Sequence, residues 1–589
     1  MGMEGHLLQR AVVDYKAPLI LLVQKNEYIR RGMVKLTRME TICGRDGVRF
    51  VDAMSMKTVV GFPLTGPKSE YIVELNPEDY PDHQFPRELD EMFWREFDSM
   101  CDIYRAGKRA YAVFKSSLKD EPTDLEKDKV RVFQAAPLTL QLGIRMYFLP
   151  IVRVLSIYPI VSECAVGINA QGPEWDQLAR EVRKYGSNRI LAGDYSKYDL
   201  RMSSQLMYAA FRILIDLARE SGNYTDDDVC IMEGLASDIC QPLMAYNGDY
   251  IQHVGSNPSG QNLTVYINSI VNSLLFRCAY FHICKDRNDL TDFKSVCSLI
   301  TYGDDAKSSV KEGWDEFNHI SVAKFLADRD MKFTMPDKES EPTEYMTDEE
   351  ADLLKRKNVI NPETGLIMGA LDEMSIFKSL HSVLKSKAVS NEEQCISNID
   401  GALREWFAHG KEKYELRRAQ MKEIAERAGI AHGCSQLDVT YEECVDRFCE
   451  TYNVPLIAKL DNQCGIEPPL NEEQPCRGSA YDIHFWWEHV AKYLSLVHIF
   501  VCIYLITFKK VSWEFGFPTR GWIYFLALVI GPKFHIVLAC QYYDICAQYF
   551  MVPLYIQGVN FAFEKAGMWK IHEQMTRDVR RSLGKNRRG

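Results

Sequence analysis

The chain has 589 residues, with 70 Lys+Arg against 81 Asp+Glu and a formal net charge of −11. Hydrophobic residues make up 46% and charged ones 26%. That ordinary globular balance excludes a disordered, collagen-like or coiled-coil chain and suggests about three to five packing units. The acidic sum argues against coating nucleic acid by bulk charge, yet leaves room for a local basic channel.

Along the chain, residues 1–110 mix short apolar runs with turns such as Gly61, Phe62 and Pro63, and no charged-then-apolar signal segment opens it. Residues 111–160 read as rich in Lys and Arg. From 188 to 310, strand-like and helical apolar runs alternate, the pattern of an α/β or α+β core. Residues 390–455 read as helices, with capping boxes at Ser390/Glu393 and Thr440/Glu443 and stops at Gly410 and Gly429. Pro455, Pro468, Pro469 and Pro475 mark a linker, after which come long apolar stretches and a basic tail. The 17 cysteines lack paired zinc spacing, so Cys278, Cys284, Cys444 and Cys449 read as reduced thiols of an intracellular protein.

Two carboxylate clusters carry chemistry. An apolar run at 298–301 leads into Tyr302, Gly303, Asp304 and Asp305, then 307–310, which predicts a β-hairpin with two acids at its tip. Adjacent carboxylates repel unless a cation sits between them. A second strand at 189–193 ends at Asp194, with Asp199 five residues on. If the two strands are neighbours, Asp194 and Asp304 converge on a site for two hard divalent ions, Mg²⁺ by its oxygen preference. Between them, Pro258, Ser259 and Gly260 make a turn before a helix at 261–280. On that helix Thr264, Asn268 and Asn272 share one face, and their neutral donors and acceptors suit a sugar hydroxyl better than a metal.

Asp194 with Asp199, Ser259-Gly260 with Thr264 and Asn268, and Tyr302 to Asp305 resemble, in order and interval, motifs A, B and C of viral RNA-dependent RNA polymerases of the picorna-like branch. Further matches resemble motif F (Lys119, Lys127, Lys129, Arg131), motif G (Thr58, Gly61, Phe62, Pro63), motif D (334–338) and motif E (Leu353, Leu354, Lys355, Arg356). The resemblance covers about residues 40–455 and departs from the usual pattern at Thr123, Val59 and Leu353.

The resemblance implies an α+β right-hand polymerase with fingers, a palm carrying an antiparallel sheet, a helical thumb and an apolar helical C-terminal extension. The expected divisions are 1–187 (N-terminal segment and fingers), 188–345 (palm with inserted fingers helices), 346–380 (motif E and the palm–thumb junction), 381–458 (thumb) and 459–589 (linker, apolar extension and basic tail). It implies RNA synthesis from NTPs on an RNA template and primer, with pyrophosphate released and no DNA partner. Asp194, Asp304 and Asp305 would hold two Mg²⁺, which Mn²⁺ can replace, and Lys338 would be the general acid. NTP binding falls to Lys119, Lys129, Arg131, Asp199, Ser259, Thr264 and Asn268. Template and primer contacts fall to Thr58, Gly61, Gly260, Lys355 and Arg356. A protein primer is implied by the resemblance alone.

The stretches at 493–508 and 521–563 are poor in charge, and the tail 565–589 is basic. Two readings stay open for 480–589: attachment to replication membranes in the host cytoplasm, which the resemblance favours, or helices packed on the thumb. Two rival functions also remain. A reverse transcriptase is disfavoured by Asp199 with Asn268, and a non-catalytic RNA-recruiting scaffold by its needless cluster of repelling acids.

Overall fold

The computed structural model describes residues 2–119, 131–383, 386 and 389–456. The chain divides into two units, Met1–Ile466 and Glu467–Gly589. The whole of the second unit lies outside the described residues, and with it the apolar extension. So do Thr123, Lys127 and Lys129.

The N-terminal region is more helical than its short apolar runs suggest. Helix α1 (Gly5–Lys25) runs through Pro18 and buries Leu7, Ala11, Tyr15, Leu19 and Val23 along one face. Helix α2 (Glu91–Arg105) is capped by Asp90, whose side chain accepts from Met92 N–H. Strands β1 (Val113–Leu118) and β2 (Val132–Ala135) pair antiparallel with Lys115 opposite Ala135. The basic stretch read at 111–160 then stops at helix α3 (Leu138–Ile157), which is apolar and long enough to cross a membrane but is 83% buried within the protein. Its one arginine at mid-length, Arg145, is buried and donates to the carbonyls of Thr41 and Asp52.

Strand β3 (Ile190–Tyr195) follows, then helices α4 (Ser204–Ser221) and α5 (Asp226–Cys240). Strands β4 (Leu243–Tyr246) and β5 (Asp249–Gln252) complete a fingers sheet of order β2-β1-β4-β5. Helix α6 (Thr264–Ile283) is buried along nearly its whole length. It starts three residues later than the spacing predicts, because residues 261–263 form a turn in which Gln261 Oε1 accepts from Leu263 N–H. The hairpin of β6 (Cys297–Tyr302) and β7 (Asp305–Val310), helix α7 (His319–Ala327) and the short strand β8 (Phe333–Thr334) finish the palm. Its sheet has the order β8-β3-β7-β6, antiparallel throughout.

Helix α1 is tied to α6 by charge as well as packing. Arg277, fully buried, donates to Glu163 at 2.6 and 2.8 Å and to Asp14 at 2.6 Å. A buried guanidinium is tolerated only when paired this completely.

Strands β9 (Arg356–Ile360) and β10 (Ile367–Leu371) form the next hairpin. Helices α8 (Asn391–Phe407), α9 (Lys411–Arg427) and α10 (Tyr441–Tyr452) pack around Leu403, Trp406, Tyr414 and Tyr441. Both capping boxes read from the sequence are formed, at Ser390/Glu393 and Thr440/Glu443. Gly410 and Gly429 take positive φ at helix boundaries. All described cysteines are free thiols; Cys278 and Cys284 are buried, while Cys444 and Cys449 are only half-buried.

Candidate functional site

Strands β3 and β7 are neighbours, with Gly193 opposite Ala306, so Asp194 emerges beside the tip of the β6–β7 hairpin. At that tip Gly303 sits at φ +64°, the left-handed value a tight turn needs, and Tyr302 pairs with Asp305. Gly193 has its own steric reason. A Cβ there would come within 2.3 Å of the Phe333 ring and 2.6 Å of the Thr334 carbonyl, so only glycine lets β8 close on β3.

The acids feel one another. Burial first, then the charges of Asp194 and Asp199, raise the Asp304 carboxyl above its ordinary range. Asp305 is pushed up to about 6, by burial and by Asp304, Asp194 and Asp352. Lys338 Nζ lies 3.0 Å from Asp194 Oδ2, on a residue at φ +68° whose side chain is 65% exposed. Among the described residues, no three acidic, His or Cys side chains are gathered into a ready-made metal cage. The donor set nevertheless fits Mg²⁺. It is all oxygen, and Mg²⁺ commonly takes only one or two protein carboxylates alongside water and phosphate.

Helix α6 holds the hairpin from behind. Asn272 Nδ2 donates to the carbonyls of Gly303 and Asp304 at 3.1 and 3.0 Å, and its Oδ1 accepts from Tyr195 O–H at 3.1 Å. Ser269 Oγ accepts from Gly303 N–H at 2.8 Å. The sequence pattern placed Asn272 on a sugar-facing stripe; in the structure it grips the turn instead.

A relay of amides orients Asp199. Asn268 Nδ2 donates to Asp199 Oδ1 at 2.6 Å, and Asn268 Oδ1 accepts from Asn257 Nδ2 at 2.7 Å. Gln261 Nε2 donates in turn to Asn257 Oδ1 at 3.3 Å. Burial raises the Asp199 carboxyl, against the lowering pull of Asn268 and of Arg131's charge. Asn257 and Gln261 escaped sequence reading, although they lie in the turn that the motif marks. Thr264 departs from the expected sugar-facing role, because its hydroxyl donates to the Pro258 and Gln261 carbonyls at 2.9 and 2.8 Å. Ser259 Oγ donates to Gln134 Oε1 at 3.3 Å.

Lys119 and Arg131 extend β1 and β2, Lys119 N–H donating to the Arg131 carbonyl at 2.9 Å, whereas Lys129 lies outside the described residues. Two glycines are close-approach points. At Gly61 (φ +82°) a Cβ would meet the Ala136 carbonyl at 2.7 Å, and at Gly260 the Gln134 carbonyl at 2.1 Å. Thr58 Oγ1 accepts from the buried Lys68 Nζ at 2.5 Å, a lysine that burial and Arg145 push down to about 8. Lys355 is exposed in a left-handed turn. Arg356, expected at the primer, is instead closed onto Glu405 by two bonds of 2.7 and 2.9 Å and onto the Gly369 carbonyl.

The chain's similarities fit this geometry. The sequence profile of the viral RNA-dependent RNA polymerase family matches residues 23–425. The replicase polyproteins of Drosophila C virus and cricket paralysis virus are each 26% identical, over 68% and 72% of this chain. The RNA1 polyprotein of broad bean wilt virus 1 is 30% identical over 63% of it. The chain spans about a quarter of the length of the two replicase polyproteins, 24% of each. A solved Sicinivirus 3Dpol RNA-dependent RNA polymerase shares the fold at a TM-score of 0.59 and 17% identity, covering 77% of this chain and 87% of that one. With the paired acid strands, the gripped hairpin and the amide relay all inside the profile's span, the chain belongs to the viral RNA-dependent RNA polymerase family, in its picorna-like branch.

Proposed function

We propose that this chain copies an RNA template from NTPs by nucleotidyl transfer. The primer 3′-oxygen forms a bond to the α-phosphorus of the incoming NTP, the bond to the β-phosphate oxygen breaks, and pyrophosphate leaves. The observation that carries the reading is the meeting of Asp194, Asp304 and Asp305 at two paired strand ends, with carboxyl pKa values raised at Asp304 and Asp305.

Asp194, Asp304 and Asp305 would hold Mg²⁺, or Mn²⁺ in its place. When bound, the ions supply charge neutralisation and lower the pKa of the attacking hydroxyl. Lys338, whose Nζ contacts Asp194, would give a proton to the departing pyrophosphate. Asp199, fixed by Asn268, accepts from the ribose 2′-hydroxyl, and a deoxynucleotide leaves that buried acceptor unpaired. Ser259 assists at the sugar. Lys119 and Arg131 would meet the triphosphate with fixed positive charge, and the family resemblance adds Lys129 to them. Thr58, Gly61 and Gly260 shape the template path, and Lys355 contacts the primer strand. The family resemblance adds a protein primer, and attachment of 480–589 to replication membranes in the host cytoplasm.

The test is incorporation on a primed homopolymer RNA with Mg²⁺. Complementary NTP should be added and the matching dNTP rejected. Equal or preferred use of dNTP would overturn the reading.

A further inference from the structure

The fingers sheet carries one unbroken cross-strand row from the Ser259–Gly260 turn outwards. Gly260 bridges Ala135, Ala135 pairs with Lys115, Lys115 with Ala245, and Ala245 with Tyr250. Paired residues in adjacent strands point to the same face. Four strand spacings of roughly 4.8 Å carry that row about 19 Å from Gly260 to Tyr250.

The same face carries Lys119 and Arg131, by the two-residue alternation of β1 and β2 and the bond joining their backbones. The row starts at Gly260, next to Ser259, and Arg131 is near enough to Asp199 for its charge to pull that carboxyl down. Lys115 on it is exposed. The sheet's one acid, Asp249, pairs with Tyr246 and so lies on the opposite face. At the far end the Tyr250 side chain is 61% exposed, and Phe62 sets its ring edge-on to it, with centroids 5.9 Å apart and planes at 89°. The edge-on contact with Phe62 orients the Tyr250 ring while leaving most of it open to solvent.

Cations along one edge and an oriented aromatic face at the end are what a single strand of nucleic acid needs. Phosphates follow the positive charge, and bases of any sequence stack on the ring. We propose that Tyr250, braced by Phe62 and with Lys115 two strands away on the same face, is a stacking platform for the single-stranded 5′ part of the RNA template before it reaches the site. The proposal rests on the polymerase reading for the identity of the strand, and on the cross-strand row for the surface.

The experiment measures equilibrium RNA binding by the full chain to two primer–template duplexes. One has a template overhang of about eight nucleotides, within the usual reach of a single-strand groove; the other has an overhang of one nucleotide. Tyr250→Ala should lose about five- to a hundredfold in affinity for the long overhang, the range of one base–aromatic stack. Its affinity for the short overhang should be unchanged, and Tyr250→Phe should restore the long-overhang affinity. Lys115→Ala should weaken long-overhang binding and flatten its salt dependence. An equal loss on both duplexes, or no loss on either, overturns the proposal. Extension by the wild-type chain is scored in parallel. Tyr250-dependent binding without extension would sink the polymerase reading alone, and extension without overhang-dependent binding would sink this one alone.

Discussion

Asn272 donates its buried side-chain amide to the backbone carbonyl of Asp304 at 3.0 Å, and to that of Gly303 at 3.1 Å. The grip joins the mid-length of α6 to the turn that carries two of the three clustered acids. Asn272→Ala leaves those carbonyls and the Tyr195 hydroxyl short of a partner, at a cost of about 1–3 kcal/mol. A turn displaced by a fraction of an ångström also misplaces the acids, so turnover should fall by about tenfold to a hundredfold. The KM for NTP should move much less. Steady-state kinetics with a thermal melt check this, and a wild-type turnover number would refute it.

The hairpin at 297–310 was legible because an apolar run leads into a glycine turn that carries two acids, and β3 because its run ends at an acid. The capping boxes at Ser390 and Thr440 were legible because they are local. What sequence hid was long-range or steric. Helix α1 carries Pro18 and broken apolar runs, and its anchor, Asp14 on Arg277, spans 263 positions. Arg356 reads as a primer contact by its likeness to motif E until Glu405, 49 positions on, closes it. Thr264 and Asn272 share a helical face with Asn268, yet one caps a turn and the other grips a hairpin. Periodicity reports the face a residue lies on, and not what that face meets.

The bond from Asn268 to Asp199, 2.6 Å, leads to a prediction about sugar choice. Asn268→Ala frees the Asp199 carboxyl to rotate and leaves Asn257 short of its acceptor. The ratio of NTP to dNTP incorporation should fall by about tenfold to a hundredfold. Competition between the two substrates reads that ratio directly. A ratio unchanged while both rates fall would mean that the relay only supports the fold.

Asp305 gives a pH dependence with a definite sign. Its carboxyl binds protons more tightly in the folded chain, at about 6 against an ordinary 3.8. The stability this confers is complete below about 4 and is lost as pH rises through 6. Without metal at pH 8, the site therefore holds repelling charge. Asp305→Asn should raise the melting temperature by a few degrees at pH 8, and by less at pH 5. Added Mg²⁺ should stabilise the wild type at pH 8, and the variant, which keeps Asp194 and Asp304, by less. An equal gain at both pH values would contradict this.

Lys355 and Arg356 should separate cleanly. Arg356→Ala breaks a bidentate pair that is less than one-fifth exposed on either side, and should cost about 2–3 kcal/mol of stability. Lys355→Ala should leave the melt alone. It should instead reduce the slope of log affinity against log salt by about 0.9, one duplex phosphate's worth. The reverse pattern would return Arg356 to the primer.

The proposed function gives templated synthesis to the acids at the tips of β3 and β7. Primer extension on a homopolymer RNA template with Mg²⁺ tests it most directly, comparing the wild type with Asp304→Ala. The wild type should extend the primer, while the variant, folded by circular dichroism and thermal melt, should add no nucleotide. Mg²⁺-dependent extension by Asp304→Ala at the wild-type rate would contradict the account.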